Sequence, residues 1–441
     1  MAGGDDVAFN AAMAPVLMAQ PGESTLHFVR HLGEGLTLRR RAELVVRALA
    51  DPATTRRSLS GHCEVAARLA ARLELDDEVC HSLAHAYERW DGRGYPDGLA
   101  GDGVPIAIRI VSVARDVELW ERNGGWTSAS DVLLRRRGHA YDPAVTDAFV
   151  GDGPEWIGGL DDDPYAAVLD AEPAPQVIVD DARLDATLSA IADFTDLKST
   201  YFRGHSSGVA SLARAAAGVA GLASGEVDAI GRAALVHDVG RVGVASGIWD
   251  RVGPLTGEQW ERVRLHPYLT DRVLRRSALL APYAGVAGGH HERADGSGYP
   301  SGAGDDRLSV GTRILAAADV FHAMSEDRPH RGPLTRPDAV AQLREEVATG
   351  RLGQTEVDAV LGAAGERTTG QLIERPAGLT EREVDVLNLI ARGRSNKEAA
   401  AELGISAKTV GHHVESIYAK AGVRTRAGAA LFAMERGLLH P

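Results

Sequence analysis

Apolar residues recur along most of the chain with the spacing of amphipathic helices. One such face carries His205, Val209, Leu212, Ala216 and Val219, and the next helix carries Val227, Ile230, Ala234 and His237. The Gly-Tyr-Pro segments between helical stretches are predicted loops, because glycine and proline interrupt regular structure there. The pattern therefore predicts an all-α fold.

Residues 379–441 read as four short helices with well-marked ends. Thr380-x-x-Glu383 and Ser395-x-x-Glu398 are capping boxes, which begin helices. Glycines stand where these helices are expected to end, at Gly393, Gly404, Gly422 and Gly437. Helices over 396–403 and 407–420, joined by a three-residue turn, have the shape of a helix-turn-helix, and a last helix is expected over about 426–436.

The chain also contains an internal repeat. ERWDGRGYPDG at 88–98 returns as ERADGSGYPSG at 292–302, and the same offset of 204 relates His62 to His266. Two Pro- and Gly-rich stretches look like connectors, at 151–182 and 362–378. We therefore expect a domain at 1–150, an acidic linker at 151–182, a second copy of the same fold at 183–361, a linker at 362–378 and a C-terminal domain at 379–441. The first copy is expected to be degenerate or N-terminally incomplete, without room for the early helices of the second.

Composition and charge narrow the function. The 441 residues carry a net charge of −13, yet residues 379–441 hold nine Lys/Arg against seven Asp/Glu, so nucleic-acid contact is expected only at the C-terminus. Aromatic residues are only 5%, which predicts cores of Ala, Val and Leu. With two cysteines, no signal-peptide pattern and no apolar run of membrane-spanning length, we expect a cytoplasmic protein without membrane association.

The second copy concentrates residues that can bind metal ions. The candidate ligands are His205, His237, Asp238, His266, His290, His291 and Asp319. Nitrogen and oxygen donors without thiolate suit Fe, Mn, Mg or Zn rather than a structural zinc site built from cysteines. The number of ligands exceeds what one ion needs, so two divalent transition metals are expected, bridged by Asp238. A single histidine on an apolar helix face is more often a core residue, and only the whole set argues for metal.

The motifs HDVGR, HP, HHERADGSGYP and the later Asp319 resemble the HD-GYP family of metal-dependent phosphohydrolases, over about residues 190–361. The resemblance implies hydrolysis of a cyclic dinucleotide such as cyclic di-GMP at a metal centre formed by the seven ligands, with Fe or Mn favoured over Mg or Zn. Two metal ions can activate water and hold both oxygens of an in-line displacement at phosphorus. The resemblance to this family also implies catalytic roles for Asp238 and Arg241. The substrate contacts that it implies are Arg241, Tyr299, Arg328 and Arg331.

The second copy departs from that family in three places. Arg241 replaces the usual lysine and retains the cation, but it cannot lose its proton. Tyr201 stands where trinuclear members have glutamate, which favours two metals over three. His322 and His330 replace the usual residues of the DVxDA and RPYR segments.

The first copy lacks the ligand set. At the offset of 204, the His237-Asp238 pair falls on Gly33-Glu34, His290-His291 on Ala86-Tyr87, and Asp319 on Arg115. We expect no catalytic metal there, and we interpret its GYP loop at 94–96 as structural.

The C-terminal segment resembles the LuxR/NarL/FixJ type of DNA-binding domain through its TERE, NKE-A-LGIS and KTV-HHV elements. Val410, Val414 and Ile417 are expected in its core. The resemblance and the helix faces place DNA contacts at Asn396, Lys397, Lys408, Thr409, His412, His413, Ser416, Lys420 and Arg424. Gly411 and Glu415 stand where relatives often carry lysine or arginine on the face toward the groove. A helical protein-interaction domain is the alternative.

Three hypotheses follow from these features. The first is a transcription regulator that binds promoter DNA and binds and hydrolyses a cyclic dinucleotide. The second is a catalytically silent nucleotide- or metal-sensing regulator, and the third is a phosphohydrolase whose tail only assembles partners. A homodimer is expected on DNA, because one tail carries little charge, and Ala429, Ala430, Ala433 and Met434 offer a possible self-association surface.

Overall fold

The computed structural model describes residues 5–16, 21–34, 36–50, 53–158, 163–173, 178–366 and 376–439. These residues are helical with irregular connections, and no β-strand occurs among them, which confirms the predicted all-α class. The chain divides into two compact units, Met1–Ala182 and Arg183–Pro441. In the described part of the chain, no helix has both the length and the apolar character needed to cross a membrane.

The first unit has a core beneath its longest helix. Its helices are α1 (Asp6–Met13), α2 (Pro21–His31), α3 (Leu38–Ala50), α4 (Ala53–Arg72), α5 (Asp77–Ala84), α6 (Ile106–Arg136), α7 (Pro143–Gly158) and α8 (Pro164–Asp170). Val113, Val117, Leu133 and Tyr141 form a buried cluster between α6 and α7. Helix α6 is kinked at Gly125, whose φ of 72° lies in the left-handed region that glycine tolerates.

The predicted linker at 151–182 is partly helical. It contains the end of α7, which runs across residue 150, and all of α8. Helix α7 continues through Pro154 because Phe149 and Ile157 pack on the core cluster and Trp126 lies against Gly153. This burial offsets the cost of an internal proline. The second predicted linker is also entered by a helix, which ends at Glu366, and its residues 367–375 lie outside the described residues.

The second unit surrounds a helix that is nearly all small residues on its buried face. Its helices before residue 367 are α9 (Asp181–Asp196), α10 (His205–Val219), α11 (Ser224–Leu235), α12 (Ser246–Trp249), α13 (Gly257–Leu274), α14 (Ala281–Gly288), α15 (Val310–Met324), α16 (Arg336–Ala348) and α17 (Gln354–Glu366). Helix α10 packs against α11, α15 and α17. Ala213, Ala216 and Ala217 are fully buried there, as expected for a core built from alanine and aliphatic residues.

The repeat extends further than its sequence motifs. Shifted by 204, α14 coincides with α5, α15 begins where α6 begins, and α11 falls on α2. Helix α10 likewise overlaps α1. The first copy therefore has counterparts of α10 and α11 in α1 and α2, so the expectation that it has no room for the early helices is wrong for these two helices, whereas α9 has no counterpart among its described residues.

The C-terminal domain has the predicted four helices, α18 (Glu381–Ala391), α19 (Asn396–Leu403), α20 (Ala407–Ala421) and α21 (Arg426–Glu435). Both capping boxes form, and Gly404 and Gly422 end α19 and α20 in the left-handed conformation. Val410 and Ile417 are fully buried in its core, and Val414 packs against that core. The helix-turn-helix prediction is confirmed at the level of individual helix ends.

Candidate metal centre and DNA-binding surface

The carboxylate of Asp238 lies at the centre of the predicted ligand set. Its Oδ2 lies 3.0 Å from Nε2 of His237 and 3.6 Å from Nε2 of His205. Its Oδ1 lies 3.4 Å from Nε2 of both His266 and His290. The two oxygens therefore face two different pairs of imidazoles, which is the arrangement of a bridging carboxylate.

The predicted ligands form two groups, and a third set of potential ligands is His205, His322 and Glu326. Asp319 belongs with the first, because its Oδ1 lies 3.1 Å from Nε2 of His205. The first group is His205, His237, Asp238 and Asp319. The second group is His266, His290 and His291, which lie close enough to share one ion. The structure thus brings all seven sequence-predicted ligands together from α10, α13, α15 and the segments after α11 and α14.

Backbone hydrogen bonds fix how three of these imidazoles are oriented. Nδ1 of His237 lies 2.7 Å from the carbonyl of Ala234, and Nδ1 of His290 lies 2.6 Å from that of Ala287. His266 makes the same contact at 2.5 Å with the residue three positions earlier. A carbonyl can only accept, so Nδ1 carries the proton and Nε2 is a free lone pair.

These lone pairs converge in a buried space. Nε2 of His266 and Nε2 of His290 lie 3.2 Å apart, a repulsive approach for two acceptors without a cation between them. Nε2 of His205 and His237 and Oδ1 of Asp238 are buried without a hydrogen bond among the described residues, and Oδ2 of Asp238 is paired with Nη1 of Arg241 at 2.7 Å. Buried polar atoms are rarely left unpaired. The donor set therefore fits divalent metal ions.

The electrostatics of the cluster agree with that fit. Burial alone would lower the pKa of His205, but Glu326 and Asp319 raise it to about 9, so the group attracts positive charge. Burial alone would raise the pKa of Asp238, but Arg241 and His237 hold it well below its ordinary value. Burial lowers the pKa of His290 to about 4. His290 is therefore neutral at pH 7, the form that can bind a metal.

The Gly-Tyr-Pro loop lies over the second group of histidines. The Tyr299 ring is 4.8 Å from that of His291, and burial raises the pKa of its phenol. Glu292 holds the loop in place by accepting hydrogen bonds from the backbone of Ser301 and Ala303 at 2.7 and 2.8 Å. In the first copy, Glu88 accepts from the corresponding loop in the same way. The loop is thus a structural unit in both copies, and only the second has ligands beneath it.

The three predicted arginines occupy different environments. Nη1 of Arg241 lies 2.7 Å from Oδ2 of Asp238, and its guanidinium lies over the Phe202 ring. Arg328 donates to the carbonyl of Tyr201 and to Glu326, also over Phe202. Arg331 donates to the backbone carbonyls of Ala323 and Met324 at the end of α15 and of the neighbouring Gly332, so its visible contacts are structural. Substrate contact by each of them stays a prediction.

Two buried carboxylates beside the centre were not anticipated from the sequence. Oε2 of Glu326 lies 2.8 Å from Nδ1 of His205. Asp196 accepts hydrogen bonds from the backbone N–H and hydroxyl of Ser206 at 2.9 and 2.7 Å, which anchors the first turn of α10. Acids occur throughout the chain, and the only signal for Glu326 was its position between the Asp319 and Arg328 motifs.

The predicted DNA contacts fall into two groups in the structure. Lys397, Lys408, Thr409, His412 and Arg424 are exposed. Ser416 and Lys420 contact Glu383, whose oxygens lie 2.6 Å from the serine hydroxyl and 2.7 Å from the ammonium, although Lys420 is also exposed. Asn396 accepts a hydrogen bond from Arg426, and His413 is half-buried. The exposed face of α20 around Lys408 and His412 is the face that can enter a major groove.

The helix-turn-helix packs on the segment that leads into the metal centre. Leu197, before α10, lies against the core of the C-terminal domain, and Leu439 approaches Gly204. Arg394, after α18, lies 3.6 Å from Asp327 in the loop that carries Arg328. Both contacted segments adjoin the metal centre, since Gly204 directly precedes His205 and Asp327 directly follows Glu326.

Helix α21 does not present the expected self-association surface. Ala429, Ala430 and Ala433 are fully buried and Met434 is 9% exposed. They belong to, or lie beside, the core shared with α18, because a helix that is apolar on all sides is buried within its own protein. The simpler alternative, that these residues pack within the tail, is correct.

Two parts of this chain match known protein families. A model of the HD domain matches residues 50–145 and 189–355, thus both copies of the repeat. A model of bacterial regulatory proteins of the luxR family matches residues 377–433.

Curated relatives and a solved structure resemble this chain. The 3'3'-cGAMP-specific phosphodiesterase 3 of Vibrio cholerae is 31% identical over 65% of this chain and 63% of its own length. A cyclic di-GMP phosphodiesterase of Thermotoga maritima is 33% identical over 38% of this chain and 45% of its own. The chain thus spans less than two thirds of either relative. A crystal structure of a cyclic GMP-AMP-specific phosphodiesterase of V. cholerae shares the fold, with a TM-score of 0.52, 24% identity, and coverage of 80% of this chain and 84% of that one.

Proposed function

We propose that this chain, which belongs to the HD domain family and ends in a regulatory domain of the luxR family, is a DNA-binding regulator that binds and hydrolyses a cyclic dinucleotide. The observation that carries the proposal is the buried convergence of four imidazole Nε2 atoms on the two oxygens of Asp238. The relatives named as cyclic-dinucleotide phosphodiesterases support the substrate class.

The donor set supports two divalent transition metals, with Fe or Mn favoured and Mg or Zn as alternatives. His205, His237 and Asp319 would hold one ion, His266, His290 and His291 the other, and Asp238 would contact both. Bound there, the ions would supply a nucleophile at neutral pH and positive charge near the scissile phosphate.

The chain's own residues would bind and orient the substrate. The guanidinium groups of Arg241 and Arg328 lie over Phe202 beside the ligand cluster, where they can neutralise phosphate charge. Tyr299 caps the opposite group of histidines with a half-buried aromatic ring, on which a base can stack. Arg331 would act by holding the loop that presents Arg328.

For the DNA side, we propose that α20 enters the major groove and that a homodimer binds an inverted repeat. Base edges would be contacted by Lys408 and His412, with His413 and Ser416 beside them. The phosphate contacts assigned to this surface are Asn396, Lys397, Thr409, Lys420 and Arg424.

The deciding experiment incubates Mn- or Fe-loaded protein with 3'3'-cGAMP and, separately, with cyclic di-GMP, and follows linear products by chromatography. Metal analysis of the anaerobically purified chain should give close to two ions per chain. His290→Ala combined with His291→Ala should remove the ion assigned to these two histidines and all turnover. Absence of metal from the intact protein would contradict the proposal.

A catalytically silent sensor is the second candidate, and the position of Arg241 favours it. A guanidinium that stays paired with Asp238 and cannot release a proton is a poor participant in turnover. Binding and product formation, measured together, separate the two functions. A sensor binds the cyclic dinucleotide in calorimetry but forms no linear product. Its affinity for DNA changes when the nucleotide is present.

A further inference from the structure

The loop after α15 contains a carboxylate with three partners in the metal centre. Oε2 of Glu326 lies 2.8 Å from Nδ1 of His205 and 2.7 Å from Nη2 of Arg328. Its other oxygen, Oε1, lies 3.4 Å from Nδ1 of His322. Glu326 is 9% exposed, so water competes little for these contacts.

We propose that Glu326 is a positioning residue that fixes His205 as a metal ligand and, with the same oxygen, holds Arg328 for the substrate. This inference rests on the proposed metal centre and assigns the residue that organises it.

The proton on His205 follows from this contact. A carboxylate can only accept, so Nδ1 of His205 carries a proton, and in the neutral ring Nε2 is the atom that can bind a metal ion. This Nε2 faces Asp319 and Asp238, 3.1 and 3.6 Å away. His237, His266 and His290 obtain the same tautomer from backbone carbonyls three residues earlier, but His205 is the first residue of α10 and depends on a side chain.

The space around Glu326 is shaped by two further residues. His322 lies one turn earlier on α15, and its ring centroid is 5.4 Å from that of His205. A Cβ at Gly208 would lie 2.0 Å from Nε2 of His322, so glycine there makes room for the ring. Because His322 occupies the position of α15 beside His205, the carboxylate that contacts His205 comes from Glu326, four residues later in the chain.

The geometry also predicts where the effect of a substitution will be felt. Glu326 touches the group that contains His205 and does not touch His266, His290 or His291 among the described contacts. Removing it should therefore weaken one of the two metal sites selectively. Loss of such an outer carboxylate typically costs about 10–100-fold in metal affinity.

The test measures Zn²⁺ and Mn²⁺ affinity and stoichiometry by chelator competition on the full chain. Glu326→Ala should lower the affinity for one ion by about 10–100-fold and leave the affinity for the other unchanged. The matched control is Asp327→Asn, which removes the adjacent acid that pairs with Arg394 and should leave both affinities unchanged. Glu326→Ser combined with His322→Asp moves the carboxylate back one turn and should restore most of the lost affinity.

Each outcome distinguishes this inference from the proposed function. If the intact chain binds no metal, the proposed function fails. If the intact chain binds metal and Glu326→Ala retains both affinities, the positioning role is refuted alone. Equal weakening of both ions, or no recovery in the double variant, would show that Glu326 only maintains the loop.

Discussion

Glu383 joins helices α18 and α20 of the DNA-binding domain, and its removal should loosen that domain. Its carboxylate accepts hydrogen bonds from the backbone of Thr380 at 2.7 Å, from Ser416 at 2.6 Å and from Lys420 at 2.7 Å. Although burial alone would raise its pKa, these donors lower it from 4.5 to about 2. The difference between the ordinary pKa of this carboxyl and its pKa in the folded protein corresponds to about 3 kcal/mol of folding free energy, at about 1.4 kcal/mol for each pKa unit.

Water reduces that figure, because the side chain of Lys420 is 33% exposed. We expect Glu383→Gln to destabilise the domain by about 2 kcal/mol at pH 7, or about 30-fold in its opening equilibrium. Since the folded pKa is depressed, this stabilisation is fully present above pH 4.5 and is lost as the pH falls toward about 2. The difference between wild type and variant should narrow over that interval.

Hydrogen exchange read by mass spectrometry is the suitable assay, because it reports on α18 and α20 without requiring the whole chain to unfold in one step. The matched control is Glu398→Gln, at the same position of the other capping box but exposed and bonded only to Ser395 in its described hydrogen bonds. Unchanged protection in Glu383→Gln, or equal loss in both variants, would refute the assigned role of Lys420 and Ser416.

Other predictions concern the first copy and the groove face. Asp91→Ala removes a paired partner of Arg89 and should cost about 1–2 kcal/mol of stability while leaving nucleotide turnover unchanged; lost turnover in a folded variant would contradict the structural interpretation. Lys408→Ala should lower discrimination between DNA sites by about 1–3 kcal/mol, whereas Lys397→Ala should weaken all sites alike and reduce the salt slope by about 1. Gel-shift titrations at several salt concentrations separate these effects, and unchanged binding in a Lys408→Ala, His412→Ala double variant would exclude α20 as the reading helix.

The local signals in the sequence were sufficient for the helices of the C-terminal domain. Capping boxes and glycine ends act within one turn of helix, so Thr380, Ser395 and Gly404 could be interpreted without knowing any neighbour in space. The same signals failed at α7, where packing of Phe149 on the core continues a helix through Pro154. They also failed at α21, whose alanines could lie on a surface or in a core with equal local preference.

The sequence by itself determined the chemistry available to this protein: the nitrogen and oxygen ligands, the repeat of 204 residues and the helix-turn-helix are all properties of residue type and spacing. Only the tertiary structure decided which atoms meet. It placed the two oxygens of Asp238 toward different histidines, brought Glu326 to Nδ1 of His205 from 121 residues away, and paired Lys420 with Glu383. The physical reason is that such contacts depend on helix packing and burial between distant segments, which no local spacing encodes.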